Sequence, residues 1–414
     1  MFIAHKLRLF VFLGVACLTW ASSQTRGVAA ELGGPEGVVP DLEAAETREA
    51  SRARLELIEN WAEWKKGIRE SSGLTFGFTA LMLYQNASDV LPETDDEAAG
   101  GIYRFQGSWV GVDRGGQNPG RLEWRLEHRS SMGSSTLAPT ELGGSIGAGA
   151  LNPAFAYSDG FDTDLSVFNW TQLFNDGRAG FAVGRLAFDV YQDAYAFQTI
   201  SKGFLNRAFI VNPSAGTTGI GALGGVVKGF VGDSIWLGAQ AHDANAVSGD
   251  FDWDTVEESE WLSAAEIGWS PSIERYKTDR IQLTYWHKDA REVADVEAGE
   301  GWLLSASWQL AEQRMVFFRA GHSDGGGGVA AESAVSLGGE CAVGPGQIVS
   351  LGLGWAEPAA SESDDDEILV EASYRVQLTP TLSVMPDVQY IKDPSENPEE
   401  DDVWVGSVRL GITL

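Results

Sequence analysis

The segment Arg121–Ser130 sets Leu122, Trp124 and Leu126 against Glu123, Arg125, Glu127 and Arg129 in strict alternation. Successive side chains of a strand point to opposite faces, so all of these charges share one face. A dry core could not hold them, because an unpaired buried charge costs several kcal/mol. A water-filled lumen can, and there Glu123, Arg125, Glu127 and Arg129 read as a wall network. Trp236 and Trp286 have the same inward parity. Their faces suit stacking on the apolar side of a sugar ring, or packing beneath a loop folded into the lumen. Trp253, within Asp243–Ser259, is open to both readings.

Catalytic chemistry has little support. His128, His242, His287 and His322 show no metal-site spacing, and no nucleophile-elbow motif is present. No enzyme, metal or cofactor is expected. Of the 2 Cys, Cys17 falls in the export segment, which leaves Cys341 without a partner for a disulfide. The net charge of −30 argues against nucleic acid as a partner, since such binders need a basic footprint. The acids cluster at 93–97, 361–367 and 395–402, between strand-like runs. They read as solvated loop tips and lack the spaced pattern of a calcium loop.

The elements that must position these residues are strands. Leu74, Phe76, Phe78, Ala80, Met82 and Tyr84 alternate out of one run; Val370, Ala372, Tyr374, Val376 and Leu378 stand opposite Glu371, Ser373, Arg375 and Gln377. In the final run, Trp404, Gly406, Val408, Leu410, Ile412 and Leu414 share one face, and Arg409 lies on the other. No stretch beyond the export segment is apolar for the length of a membrane helix, so a membrane would have to be crossed by a closed barrel. Runs bounded by Gly, Pro, Asn and Asp number about sixteen, an even count as bacterial barrels have. The predicted fold is an all-β transmembrane barrel of about sixteen antiparallel strands over residues 73–414, with a short N-terminal helical segment.

Lys6 and Arg8, the apolar Leu9–Ala16 and the small Val28-Ala29-Ala30 read as a signal peptide over residues 1–30. Residues 31–72 then form a flexible and helical periplasmic segment. Glu31–Pro40 reads as flexible, and Asp41–Gly67 as one amphipathic helix at the periplasmic side or plugging the pore entrance.

With Leu414 in the periplasm, short turns fall on that side, at 175–178, 231–234, 311–314, 344–346 and 379–381. Long loops fall outside, above all Ser131–Asp162 and Val190–Gly219. Such loops in a pore can fold inward and narrow it. Trp261, Trp302, Trp355 and Trp404 lie at outer strand ends and Trp269 and Trp308 at inner ends, the two girdles expected at membrane interfaces.

Gly184–Gly216 (GRLAFDVYQDAYAFQTISKGFLNRAFIVNPSAG) resembles the signature region of the carbohydrate-selective porin (OprB) family, "G(K/R)(L/I)…FxDxxAFA…xFLNxAFxxNP". Val370–Ile391 (VEASYRVQLTPTLSVMPDVQYI) with Asp393-Pro394 is similar to the family's ending, "YRxQLTPxLxLxPDxQYIxxP". Leu414 departs from the Phe with which such barrels mostly end. The resemblance implies an outer-membrane porin of about sixteen strands that passes small carbohydrates by diffusion. It also implies that Val190–Gly219 borders the constriction, with Asp193, Asn206, Arg207 and Asn212 as candidates to contact substrate. Asn206 and Asn212 could equally cap turns, and Arg207 could pair with a wall carboxylate. A cation-preferring general porin and a non-conducting envelope barrel that binds polysaccharide are the alternatives. The partners expected are small carbohydrates and outer-membrane lipid, and a homo-oligomer is as compatible with the sequence as a monomer.

Overall fold

The computed structural model describes residues 32–46, 56–133, 137–158, 161–248, 254–292, 294–359 and 365–414. The signal peptide expected at 1–30 and Trp253 lie outside them. The strands form one closed antiparallel barrel: β1 (Leu74–Ala87), β2 (Glu97–Val112), β3 (Gly120–Ser131), β4 (Phe161–Phe174), β5 (Ala179–Leu186), β6 (Ala222–Val231), β7 (Ile235–Asp243), β8 (Trp261–Trp269), β9 (Arg280–Lys288), β10 (Gly299–Ala311), β11 (Arg314–Ser323), β12 (Ala331–Gly344), β13 (Gln347–Pro358), β14 (Glu367–Gln377), β15 (Leu382–Lys392) and β16 (Asp402–Thr413). Every strand pairs with its neighbours in sequence, and β1 closes on β16 through Ala80↔Ile412, Met82↔Leu410 and Tyr84↔Val408.

Exposure along the strands is inverted relative to a soluble protein. Phe78, Phe105, Phe168, Phe181, Ile281, Leu351, Trp404 and Val408 are exposed, while Gln85, Arg104, Arg125, Glu127, Gln282, Arg319 and Arg409 are buried. An apolar outer band around a polar interior is the arrangement that lipid solvates. Tyr285 packs on Trp302 and Tyr390 on Trp404 at the outer ends, and Trp269 stacks on Trp308 at the inner ends. The periplasmic connections are mostly tight. Between β4 and β5 the chain turns through Asn175, Asp176 and Gly177, all left-handed, at φ of 56°, 57° and 72°. The outer connections are long, and 137–158 and 187–221 fold into the barrel.

The N-terminal segment departs from its sequence reading. Helix α1 (Val38–Glu46) begins before Asp41, and α2 (Glu56–Ser72) runs past Gly67 to end at Gly73, whose φ is +78°. Residues 32–40, read as flexible, are packed inside the barrel. Leu32, Val38 and Leu42 sit buried against Val167, Leu173, Ala182, Leu186, Val190 and Val226. Glu36 and Asp41 accompany them, each bonded to a lumen-facing side chain of β2. Helix α2 instead lays Trp61 and Trp64 on Phe76 of the lipid-facing side of β1.

Trp236 shows how closely the interior is filled. Its cross-strand neighbour on β8 is Gly268, and a Cβ there would lie 2.3 Å from the indole. Gly268→Leu should therefore cost about 1–3 kcal/mol by overpacking. A urea titration of the detergent-folded barrel would read this as an earlier midpoint, whereas an unchanged midpoint would mean the indole has room to move.

Candidate functional site

The lumen is narrowed by three chain segments, each held by charged wall residues. The innermost is the N-terminal segment. Arg104 of β2 pairs with Glu36 and, at 2.5 Å, with Glu127 of β3. Glu127 also takes Arg129 at 2.5 Å, and Arg121 pairs with Glu123 at 2.7 Å. Arg125 donates to Gln106 Oε1 and to the Glu36 carbonyl, both at 2.7 Å, while Gln106 donates to Asp41 at 2.6 Å. Glu36 also accepts from the Ile200 N–H at 3.1 Å, which ties the N-terminal segment to the long loop above it.

Two carboxylates of β14 hold the infolded outer loops. Glu367 accepts the backbone N–H groups of Gly149, Ala150 and Leu151 at 2.7, 3.0 and 2.8 Å. Glu371 accepts those of Leu205 and Asn206 at 2.6 and 3.0 Å. Two strands along the wall, Arg409 of β16 donates to the carbonyls of Ile200 and Gly203, at 2.8 and 3.2 Å. Asp193 receives Arg319 of β11 at 2.7 Å, Ser305 at 2.9 Å and Gln282 at 3.1 Å. An apolar knot of Tyr195, Phe197, Phe204, Phe209 and Phe317 fills the space between, with Phe204 and Phe209 centroids 4.5 Å apart.

This architecture sorts the residues singled out in the sequence. Glu123, Arg125, Glu127 and Arg129 lie together in the wall network. Asp193, Asn206 and Asn212 are all buried, under the chain of the loop rather than on its lumen surface. Asn206 caps the short helix α3 (Arg207–Ile210), accepting the Ala208 N–H at 3.0 Å, and its amide reaches Gln389 and Leu151. Asn212 accepts the Ser214 N–H at 3.0 Å. Trp236 and Trp286 are also closed off, which removes them as stacking platforms. Trp236 lies under Tyr276 and Lys228, and Trp286 lies beneath the loop and donates to the Ser214 carbonyl at 3.1 Å.

Arg207 differs from all of these. Every residue from Gly203 to Gly216 is buried except Arg207, which is half-buried. Its backbone is fixed by the Asn206 cap and by an N–H bond to Asn152 O at 3.0 Å, but among the described residues its guanidinium has no partner. Burial without a nearby acid pulls it below the usual arginine range. The paired wall carboxylate that the sequence allowed is not there.

Glu36, Arg104, Arg319, Glu367 and Arg409 are anchors that no local pattern in the sequence marks as such. Arg409 and Arg319 could be marked as charges of inward parity, but their targets are loop carbonyls and a loop aspartate with no periodicity. Glu36 sits in a Gly- and Pro-rich stretch that carries no inward signal.

Asp189, in the first turn of the long loop, is driven up to about 6 by burial and then by Glu36, against the pull of Arg125, Arg104 and Arg129. A carboxyl raised on folding is tolerated best when protonated, so its cost is absent below the ordinary carboxylate range, builds as pH rises from there to about 6, and is constant above that. Asp189→Asn should thus raise the thermal midpoint at neutral pH and leave it unchanged below about pH 4. Equal midpoints at neutral pH would contradict the placement. Asp193→Ala strands Arg319 and should cost about 3–5 kcal/mol, seen as faster protease cutting in the 187–221 loop. Unaltered cutting would mean that the pair does not hold the loop.

Comparison with known proteins agrees with this geometry. Residues 343–414 match the profile of the family described as carbohydrate-selective porin, OprB family. No curated protein matches the chain in sequence. The high-pH structure of Pseudomonas putida OprB superposes with a TM-score of 0.67 at 13% identity, covering 86% of this chain and 97% of that one. The low-pH structure of the same protein gives 0.50 at 12%, over 88% and 99%. An engineered protein described for asymmetric conductivity gives 0.52 at 14%, over 82% and 100%. The resemblance to the carbohydrate-selective porin (OprB) family thus holds by profile over the last strands, and the barrel as a whole has the fold of an outer-membrane porin.

Proposed function

We propose that the chain is an outer-membrane channel, exported by residues 1–30, through which small carbohydrates diffuse passively past the infolded loops. The observation that carries this reading is Arg207. It is the one side chain of Gly203–Gly216 left half-buried, on a backbone fixed from both sides, with a donor fork that no described residue satisfies. A planar fork of N–H donors can replace water on adjacent sugar hydroxyls. The family resemblance supports the same class of solute. A sixteen-stranded barrel without infolded segments leaves an open aqueous channel, so the loops are what give it selectivity.

One feature favours a second reading, the net charge of −30 with acids crowded in the outer loops, which would draw cations to the mouth. Planar-bilayer recording separates the two. Conductance that falls as glucose is added supports the carbohydrate channel. Conductance indifferent to glucose with cation preference supports the general porin, and no conductance would point to the envelope barrel. Within the first reading, Arg207→Ala should leave the barrel folded, since the side chain gives up no hydrogen bond or ion pair among the described residues. It should also flatten the differences in liposome-swelling rate across a series of sugars. Unchanged relative rates would move the constriction to the 132–160 loop.

A further inference from the structure

At the periplasmic mouth, between the N-terminal segment and the connection from β8 to β9, lies a cavity of about 310 Å³. It falls at the lower end of the ~300–1,000 Å³ typical of small-molecule sites. Gly33, Pro35 and Glu43 line one side, and Tyr276, Lys277 and Arg280 the other. At the rim Lys277 and Glu43, both well exposed, form a 3.4 Å pair. On the inner wall Arg280 is only 2% exposed. Its guanidinium stacks over the Tyr276 ring at 5.0 Å, and among the described residues it has neither a hydrogen bond nor an ion pair.

That is an unusual state for a buried cation. Of the other buried arginines of the lumen, Arg104, Arg185 and Arg319 each have a carboxylate, while Arg125 and Arg409 donate to carbonyl groups. Arg280 has instead a second cation for a neighbour: Lys228, itself held by Glu266 at 3.0 Å and by the Tyr276 hydroxyl at 3.3 Å, is repelled by it. The Lys228–Glu266 pair is already closed, so Glu266 is committed elsewhere. Asp279, next in sequence, is taken by Arg275. A buried guanidinium beside a roomy cavity, with every nearby carboxylate engaged, matches an oxyanion: a planar fork accepts a carboxylate or phosphate through two parallel bonds.

We infer that this cavity is a binding site for a small anionic saccharide or sugar phosphate, whose carboxylate or phosphate pairs with Arg280 while its hydroxyls reach the Lys277–Glu43 rim. The site is separate from Arg207 and stands whether or not the channel prefers neutral sugars. The anion supplies the charge that the fold withholds from Arg280, and the exposed rim allows exchange with the periplasm.

Isothermal titration of the detergent-purified full chain tests this with D-glucuronate, glucose phosphate and, as the neutral comparison, glucose. Both anions should bind and glucose should bind at least about tenfold more weakly, the loss expected for one charge-assisted contact. Arg280→Gln should weaken both anions by about tenfold or more while leaving the thermal midpoint unchanged or raised, because it removes a charge that pairs with nothing in the protein. Glu43→Gln, which frees Lys277, should tighten both. Absence of anion binding to the wild-type chain, or equal binding by Arg280→Gln, would overturn the site. So would a midpoint lowered by Arg280→Gln with anion affinity retained, which would make Arg280 a packing residue.

Discussion

The carboxylates of Glu367 and Glu371 on β14 accept the backbone N–H groups at the tips of both infolded outer loops. Much of the rest depends on those bonds. A loop turned into a barrel carries backbone donors away from bulk water, and each left unmet would cost about 1–3 kcal/mol. A carboxyl group with two oxygens inside a low-dielectric interior answers several donors at once. Arg409 does the converse for two loop carbonyls, and Arg319 of β11 fixes Asp193. The loops are therefore clamped from the stretch of wall between β11 and β16, and the aromatic knot of Tyr195, Phe197, Phe204, Phe209 and Phe317 packs against the same side.

The same economy explains the N-terminal segment. Residues 32–46 enter the barrel on the side of β2 and β3, where Arg104, Arg125 and Arg129 concentrate positive charge. Glu36 enters that cluster and is bound to both the wall and the long loop. Leu32, Val38 and Leu42 bury apolar surface against wall positions that would otherwise face water. One segment thereby neutralises a charged wall and dries an apolar one. At its far edge, against Tyr276 and Arg280, the fit is incomplete, and the periplasmic cavity is what remains.

Much of the barrel was legible because period-two alternation is local. The runs around Leu122, Val370 and Val408 each betray two faces, and the count of such runs gives the closed sheet. Loop asymmetry followed from direction alone. The interior was less legible. Asp193, Asn206 and Asn212 are polar residues in a signature block, and nothing local distinguishes a turn cap or a clamp from a residue that meets solute. Trp236 and Trp286 have inward parity, which in a barrel with infolded loops means burial rather than water. Arg207 was identifiable as a donor fork, but its freedom depends on which acids the fold leaves nearby. Residues 32–40 misled because Gly33, Gly34 and Pro35 signal flexibility in a chain of average surroundings, whereas here they pass a backbone along a crowded wall.

The central claim is that wall carboxylates hold the loops that narrow the pore. The most direct measurement is single-channel conductance of a Glu367→Gln, Glu371→Gln double variant beside the wild-type chain, in the same lipid and salt. Neutral amides of nearly the same size keep the barrel wall intact but weaken the acceptors. Conductance should rise several-fold and fluctuate as the loops leave the lumen. A steady conductance equal to that of the wild-type chain would contradict the claim and leave the apolar knot alone holding the loops in place.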